Sequence, residues 1–523
     1  MRSPCEAHEG AVPETMAPPS DGTFCPKERR RYVLVAAILA SALGFIDGSV
    51  VAIAIPAMRS NLGASLVEAQ WISNAYALTL SALILAGGAA GDKFGLRSTL
   101  IVGIALFIGG SMICAVAPDP LFLIFARAAQ GVGAAIMVPG SLAIIAKAYP
   151  KKERGRAIGI WAASSALTTA LGPVIGGVLL SSFDDSVWRW IFAVNLPLGG
   201  LAIYFLAAKV PADAPGATRA LDLGGAALAT ASLGALAYGF TVFGTASLLH
   251  SAAWVAAGLV VMAAFLVWER RQREPMVDLG LFASRPFSGA NISTFFLYFA
   301  LSAILFYLPM LLIAGWGLSE AESGFIFLPL SLAIAVLSGP VGKASDSIGA
   351  RLPIAAGSLV VATAFAGLAL LTGGGVHSFW LGIFPLMALM GLGMALVVSP
   401  LSTAIMTAVA DSDTGAASGI NNAVARMAGL FAVAVMGGVA ALRYASLLGE
   451  GGGTLPGFGE QPASALPAEV ESIRLAASDA AFAAIAWVTA ALCVLSALTA
   501  WLTVPGGGRT EDAERAGDTA SAE

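Results

Sequence analysis

Phe45-Ile46-Asp47-Gly48-Ser49-Val50-Val51-Ala52-Ile53-Ala54-Ile55-Pro56 closes an apolar run that begins at Tyr32. Crossing a bilayer takes about 20 helical residues, and this run is long enough. Asp47 lies about 15 residues inside it, deep in the hydrocarbon of a spanning helix. A carboxylate at that depth is costly. It marks either a proton-handling site or a side chain tied by hydrogen bonds to a neighbouring helix, and the run by itself leaves both roles open.

The rest of the chain supplies the context. Of its 523 residues 58% are hydrophobic and 11% charged, where a soluble domain carries roughly 25% charged residues. With a mean hydropathy of +0.83, the class is all-α integral membrane protein. The 60 glycines suit helices that pack closely in lipid. The net charge of −4 carries no information about partners, because topology distributes the charges. The expected partners are the bilayer, protons and a small molecule, with no nucleic acid. Cys5, Cys25, Cys114 and Cys493 form no framework, so four free thiols are expected.

Fourteen stretches reach spanning length: 32–56, 69–90, 98–117, 120–147, 155–180, 189–208, 221–243, 252–268, 287–313, 321–341, 352–372, 378–402, 414–440 and 479–504. Residues 1–31 lack the apolar core of a signal peptide and read as a disordered tail. The lysines and arginines test this topology. Four (Arg59, Arg189, Arg443 and Arg474) fall on the side away from the termini, and two (Arg127 and Arg426) fall inside spans. The remainder of the 28 lie on the termini's side, which predicts cytoplasmic termini in a cell membrane.

The chain also repeats. Gly91-Asp92-Lys93-Phe94-Gly95-Leu96-Arg97 follows span 2, and Ser345-Asp346-Ser347-Ile348-Gly349-Ala350-Arg351 follows span 10. Gly155 to Ile160 opens span 5 much as Gly415 to Ile420 opens span 13. Both matches shift by eight spans, which gives two six-helix halves with two helices inserted between them. The predicted organisation is a tail (1–31), an N-terminal half (32–208), a linker with the inserted helices (209–272), a C-terminal half (273–505) and a second cytoplasmic tail (506–523). Parallel repeats of this kind build secondary transporters, with the substrate site near the midplane between them. Residues 441–478 are rich in Gly and Pro and read as a mobile connection.

Candidate chemistry follows from depth. Asp47 and Arg127 sit at similar depth in the outer half of the membrane, and depth alone does not pair them. Asp92 with Arg97, and Asp346 with Arg351, suit a charge latch near Gly91, with Asp92 free to cap a helix N-terminus of the other half. Gly172, Pro173, Gly176 and Gly177 put a bend and a close-packing face in span 5. Trp71, Asn74, Tyr76, Gln130, Asn421 and Arg426 are the candidates for lining a substrate pocket. No span carries a nucleophile–base or metal-ligand constellation, so no enzyme and no metal are expected. His8, His250 and His377 lie in the tail or in outer loops.

These motifs resemble the major facilitator superfamily, in its fourteen-helix drug:proton antiporter branch of EmrB/QacA type. The resemblance is carried by Asp47 to Pro56, Gly88 to Arg97, Arg127-Ala128-Ala129-Gln130-Gly131, Gly172 to Gly177 and Trp188 to Pro197. Gly48, Leu96 and Ile313 depart from the branch's usual residues. The resemblance implies proton-driven multidrug efflux by alternating access, with Asp47 carrying the proton and Arg127 supporting coupling. The proton gradient would be the only energy source, with no cofactor. A dedicated exporter of one metabolite or self-made antibiotic is the alternative, separable by a substrate panel. A non-transporting sensor or assembly protein is a further one, disfavoured by the intact coupling residues. Asp47 is the only carboxylate deep in any of these spans, so it would serve both the proton and any cationic substrate.

Overall fold

The computed structural model of the protein describes residues 23–214, 216, 221–448, 455–462 and 464–506. Fourteen helical segments among them are long and apolar enough to span a membrane. The first six are α1 Lys27–Leu62, α2 Leu66–Phe94, α3 Leu96–Ala115, α4 Pro120–Ala148, α5 Lys151–Ser182 and α6 Asp185–Lys209. Two more, α7 Leu223–Thr241 and α8 Leu248–Arg271, form a hairpin. The last six are α9 Arg285–Gly315, α10 Glu320–Ile348, α11 Arg351–Gly373, α12 Phe379–Thr407, α13 Asp411–Leu448 and α14 Ala468–Thr503.

Local signals set many of the ends. Ser65 and Glu68 form a capping box at the start of α2, and Asp119 with Pro120 opens α4. In lipid the backbone must satisfy itself, so irregular turns occur only where side chains take up the freed carbonyls. The π-helical turn Leu311–Gly315 that ends α9 is such a case, with Arg474 of α14 donating to the Ala314 and Gly315 oxygens at 3.1 and 3.3 Å.

The repeat is visible in the packing. In the first half α2 lies on α4, α3 on α4 and α6, and α1 on α5 and α6. In the second half α10 lies on α12, α11 on α12 and α14, and α9 on α13 and α14. Each pairing maps onto its counterpart under a shift of eight helices. The halves meet where α2 packs on α13 and α5 on α10, which is also a symmetric exchange. The α7–α8 hairpin sits outside this body, with α7 covering the α2–α13 seam.

The repeated loops do different work from the expected latch. Asp92 is exposed and forms no ion pair among the described residues, and Asp346 is exposed as well. Arg97 donates instead to the Leu206 and Ala207 oxygens, both at 2.8 Å, where α6 ends. Arg351 donates to the Val504 oxygen at 2.8 Å, where α14 ends. Each arginine thus clamps the last helix of its own half, because helix C-termini leave carbonyls without partners and carry partial negative charge. Gly95 (φ +89°) and Gly349 (φ +82°) supply the left-handed residue that both loops need.

Asp213, just after α6, caps the N-terminus of α3 in its own half, whereas Asp92 was expected to cap a helix of the other half. Its carboxylate accepts from the backbone N–H groups of Leu96 and Arg97 at 2.9 Å each, and from Lys147 Nζ at 2.8 Å. Burial pushes the carboxyl up, but Lys147 and the two N–H donors outweigh it and hold it below the ordinary carboxylate value. A depressed folded-state value means stability that is full above the unfolded pKa of about 3.9 and is lost as pH falls through the lower folded value. Asp213→Asn is therefore expected to cost about 1–2 kcal/mol at neutral pH, the scale of a lost helix cap. The difference from wild type should shrink on acidification below about pH 4 in denaturation scans, and a difference that instead grew there would contradict this account.

Three further expectations change. Residues 23–31 are not a loose tail: Cys25 is fully buried, and Arg30 donates to the Cys25 oxygen, Thr23 Oγ1 and Glu153 Oε2. Residues 1–22 and 507–523 lie outside the described residues. The first helix does not stop at Pro56, because Arg59 anchors its last turn to the Ala64 and Phe458 oxygens. In the 441–478 connection the described residues 441–448 and 468–478 are helical, and Phe458 packs near the rings of Tyr307 and Tyr444 as a plug at the end away from the termini. Cys25, Cys114 and Cys493 are free and buried, while Cys5 falls outside the described residues.

Candidate functional site

Asp47 points from α1 towards α4. Arg127 Nη1 donates to Asp47 Oδ2 at 2.6 Å, and Gln130 Nε2 donates to Asp47 Oδ1 at 2.9 Å. Arg127 and Gln130 share a face of α4 because they lie three residues apart. They also bond each other, with Arg127 Nη1 donating to Gln130 Oε1 at 2.6 Å. Arg127 Nε donates to the Ile72 oxygen of α2 at 3.1 Å. Gln130 Nε2 reaches Ser111 Oγ of α3 at 2.7 Å, and Asn195 Nδ2 of α6 reaches the same oxygen at 2.9 Å. The Tyr76 ring lies 4.3 Å from the guanidinium carbon. Asp47 and Arg127 are each 1% exposed, and a charge that far from water is sustained only by a partner and a complete set of hydrogen bonds.

This network forms one wall of a cavity of about 600 Å³ between the halves. Phe45, Asp47, Asn74, Tyr76 and Arg127 line it from the first half. Tyr298, Phe306, Phe327, Asn421 and Arg426 line it from the second. Its rim reaches Ser402, Ser418 and Asn422, exposed residues towards the termini's end of α12 and α13. The opposite end is sealed. There Gln70 Nε2 of α2 donates to Tyr307 Oη of α9 and to the Val433 oxygen of α13, both at 2.7 Å. Ser181 Oγ of α5 donates to Glu320 Oε2 of α10 at 3.0 Å. A Cβ on Gly177 would collide with the backbone oxygen of Glu320, and one on Gly324 would lie 2.7 Å from the Pro173 oxygen. The Gly172–Gly177 motif is thus the surface on which α5 meets α10, while Gly172 and Gly176 lie against Ser49 and Val50 of α1.

The structure sorts the pocket candidates. Asn74, Tyr76, Asn421 and Arg426 line the cavity. Gln130 does not; it lies behind Asp47 as its hydrogen-bond partner. Trp71 is turned away from the cavity, 6.1 Å from the Tyr238 ring of α7, because the inserted hairpin offers it an apolar surface. Ser111, Asn195 and the Ile72 carbonyl were missed. Neutral polar groups leave no charge signal in a span, although Gln130 three residues after Arg127 was a hint. Beyond Asp47 and Asp213, the buried carboxylates among the described residues are Asp479 and Glu269, both outside the cavity lining. Asp479 is held by Trp316 Nε1 and His377 at 2.7 Å each, and Glu269 Oε2 accepts from the Val277 N–H. No group of three or more His, Cys, Asp or Glu side chains among the described residues is arranged to hold a metal ion.

The family model described as Major Facilitator Superfamily matches residues 37–434 and 291–521. The chain is 35% identical to the multidrug resistance protein Stp of Mycobacterium tuberculosis over 418 residues, covering 77% of this chain and 75% of Stp. It is 31% identical to the puromycin resistance protein pur8 of Streptomyces alboniger over 522 residues, with 97% of each chain covered. Among solved structures it is similar in fold to a bacterial homolog of the human lysosomal transporter Spinster in an inward-facing, unoccupied conformation. That match has a TM-score of 0.62 and 16% identity, over 92% of this chain and 100% of the other.

Proposed function

This chain belongs to the Major Facilitator Superfamily, and from that premise we propose that it exports small amphiphilic molecules across the cell membrane in exchange for protons, by alternating access. The observation that carries this reading is the Asp47–Arg127 ion pair in the cavity wall. Taking up a proton at Asp47 removes the charge that holds Arg127, and so changes what α1, α2 and α4 grip. The two six-helix halves are the moving bodies, and the proton gradient is the energy source. The Lys- and Arg-rich loops on the termini's side support cytoplasmic termini, and with them a cytoplasmic cavity mouth. The state described here is then the one that loads substrate from inside.

The relatives named for multidrug resistance favour a broad substrate range. Those named for a single compound, such as puromycin or tetracenomycin C, favour a narrower exporter of the same mechanism. Proteoliposomes with an imposed pH gradient test the proposal. Wild type is expected to accumulate substrate against its gradient, and Asp47→Asn to equilibrate it only downhill. Uphill, proton-dependent accumulation by Asp47→Asn would remove Asp47 from the mechanism.

A further inference from the structure

We propose that the cavity is built to hold the anionic group of an amphiphile, with Arg426 as its counter-ion and the Asn74 carboxamide as its hydrogen-bonding partner. The idea deepens the export reading, and takes from it only the direction of transport.

The charged residues lining the cavity are Asp47, Arg127 and Arg426. The first two neutralise each other at 2.6 Å. Arg426, half-buried on α13, makes neither an ion pair nor a hydrogen bond with any described residue. Among the described residues no second carboxylate lines the wall, so one positive charge stands uncompensated there in a partly desolvated space. Such a charge is stabilised by an incoming anion, and guanidinium–carboxylate pairs are among the stronger polar contacts.

Asn74 is an independent observation that points the same way. It is 1% exposed on α2, and neither its Nδ2 nor its Oδ1 has a hydrogen-bond partner. Buried carboxamides are almost always satisfied, and this one lines the cavity. Its N–H groups are suited to an anion's oxygens. Arg426 belongs to the second half and Asn74 to the first, so a ligand held by both bridges the halves. Phe45, Tyr298, Phe306, Phe327 and Leu330 offer the apolar body of the molecule its surface. A cavity of this size suits a drug-sized molecule.

An anion does not compete with a proton for Asp47, so the two are exchanged through the change of state and not by displacement at one carboxylate. One anion leaving as one proton enters moves two charges in the same sense, so transport responds to membrane potential as well as to the pH gradient. A monovalent cation exchanged for one proton moves no net charge.

The test uses three matched probes on the purified full-length protein in nanodiscs: naphthalene carboxylate, its neutral carboxamide, and naphthylmethylammonium. At about pH 7 the first is an anion and the last a cation. Wild type is expected to bind the carboxylate about tenfold or more tighter than the ammonium. Arg426→Gln should abolish that preference and Arg426→Glu invert it. Arg426→Lys, which keeps the charge, should preserve it at lower affinity. Asn74→Ala should weaken the carboxylate severalfold and leave the ammonium unchanged. Tighter ammonium binding by wild type, equal binding of all three probes, no binding of any, or a preference untouched by Arg426→Gln would each overturn the proposal. Binding needs no gradient, so the outcome is independent of whether Asp47→Asn abolishes proton-driven transport.

Discussion

Arg127→Leu is expected to destabilise the protein by about 3–5 kcal/mol, the usual cost of removing one partner of a buried ion pair. The variant would leave the Asp47 carboxylate 1% exposed with Gln130 as its remaining donor, and would leave the Ile72 oxygen without the Arg127 Nε–H. The second substitution should repair most of this. In Asp47→Asn/Arg127→Leu no charge remains to be compensated, and neutral replacements of whole buried pairs are often tolerated. Arg127→Lys should fall between, because an ammonium keeps the charge but lacks the fork that serves Asp47, Gln130 and Ile72 together. Thermal unfolding of the purified variants measures all three. A double variant as unstable as Arg127→Leu would mean that the loss comes from packing and not from charge.

Gly177→Leu is expected to disfavour strongly the sealed end seen here. Its side chain would occupy the place of the Glu320 backbone on α10, and backbone does not yield as a side-chain tip does. Overpacking of this kind costs about 1–3 kcal/mol, and here that cost falls on one state only. The balance should therefore move away from this state by about fivefold to somewhat over a hundredfold, since 1.4 kcal/mol is a factor of ten. Spin labels at Ser65 and Ser446, exposed positions of the two halves at that end, should report a longer and broader distance distribution in the variant. Transport should be lost. An unchanged distance distribution would show that α10 moves aside locally and that the Gly172–Gly177 motif does not set the seal.

Much of this is legible in the amino-acid sequence. Fourteen spans, their alternation and the eight-helix repeat rest on hydropathy, Lys and Arg placement and the two Asp-x-x-Gly-x-Arg loops, which are all local properties of the chain. The depth match of Asp47 and Arg127 needs only the helix rise. Other assignments failed in instructive ways. The loop arginines looked like partners for the aspartates beside them, yet helix ends with free carbonyls lay nearer. The aspartate that caps α3 lies in the linker after α6, more than a hundred residues along the chain. Gln130 looked like a pocket residue and proved to be the second ligand of Asp47, and Trp71 was claimed by the inserted hairpin.

The sequence by itself determined how many helices cross the membrane, how the halves repeat and how deep each embedded charge sits. Only the tertiary structure decided which way each helix is turned about its own axis. That rotation joins Asp47 to Arg127 and Gln130, aims Arg426 and Asn74 into one cavity and sends Trp71 away from it. The reason is the solvent. In water an apolar stripe tells a helix which face to bury, but in lipid the outer face is as apolar as the inner one. The turn of each helix is then set by close packing and by the few polar contacts between helices, which exist only once the bundle is assembled.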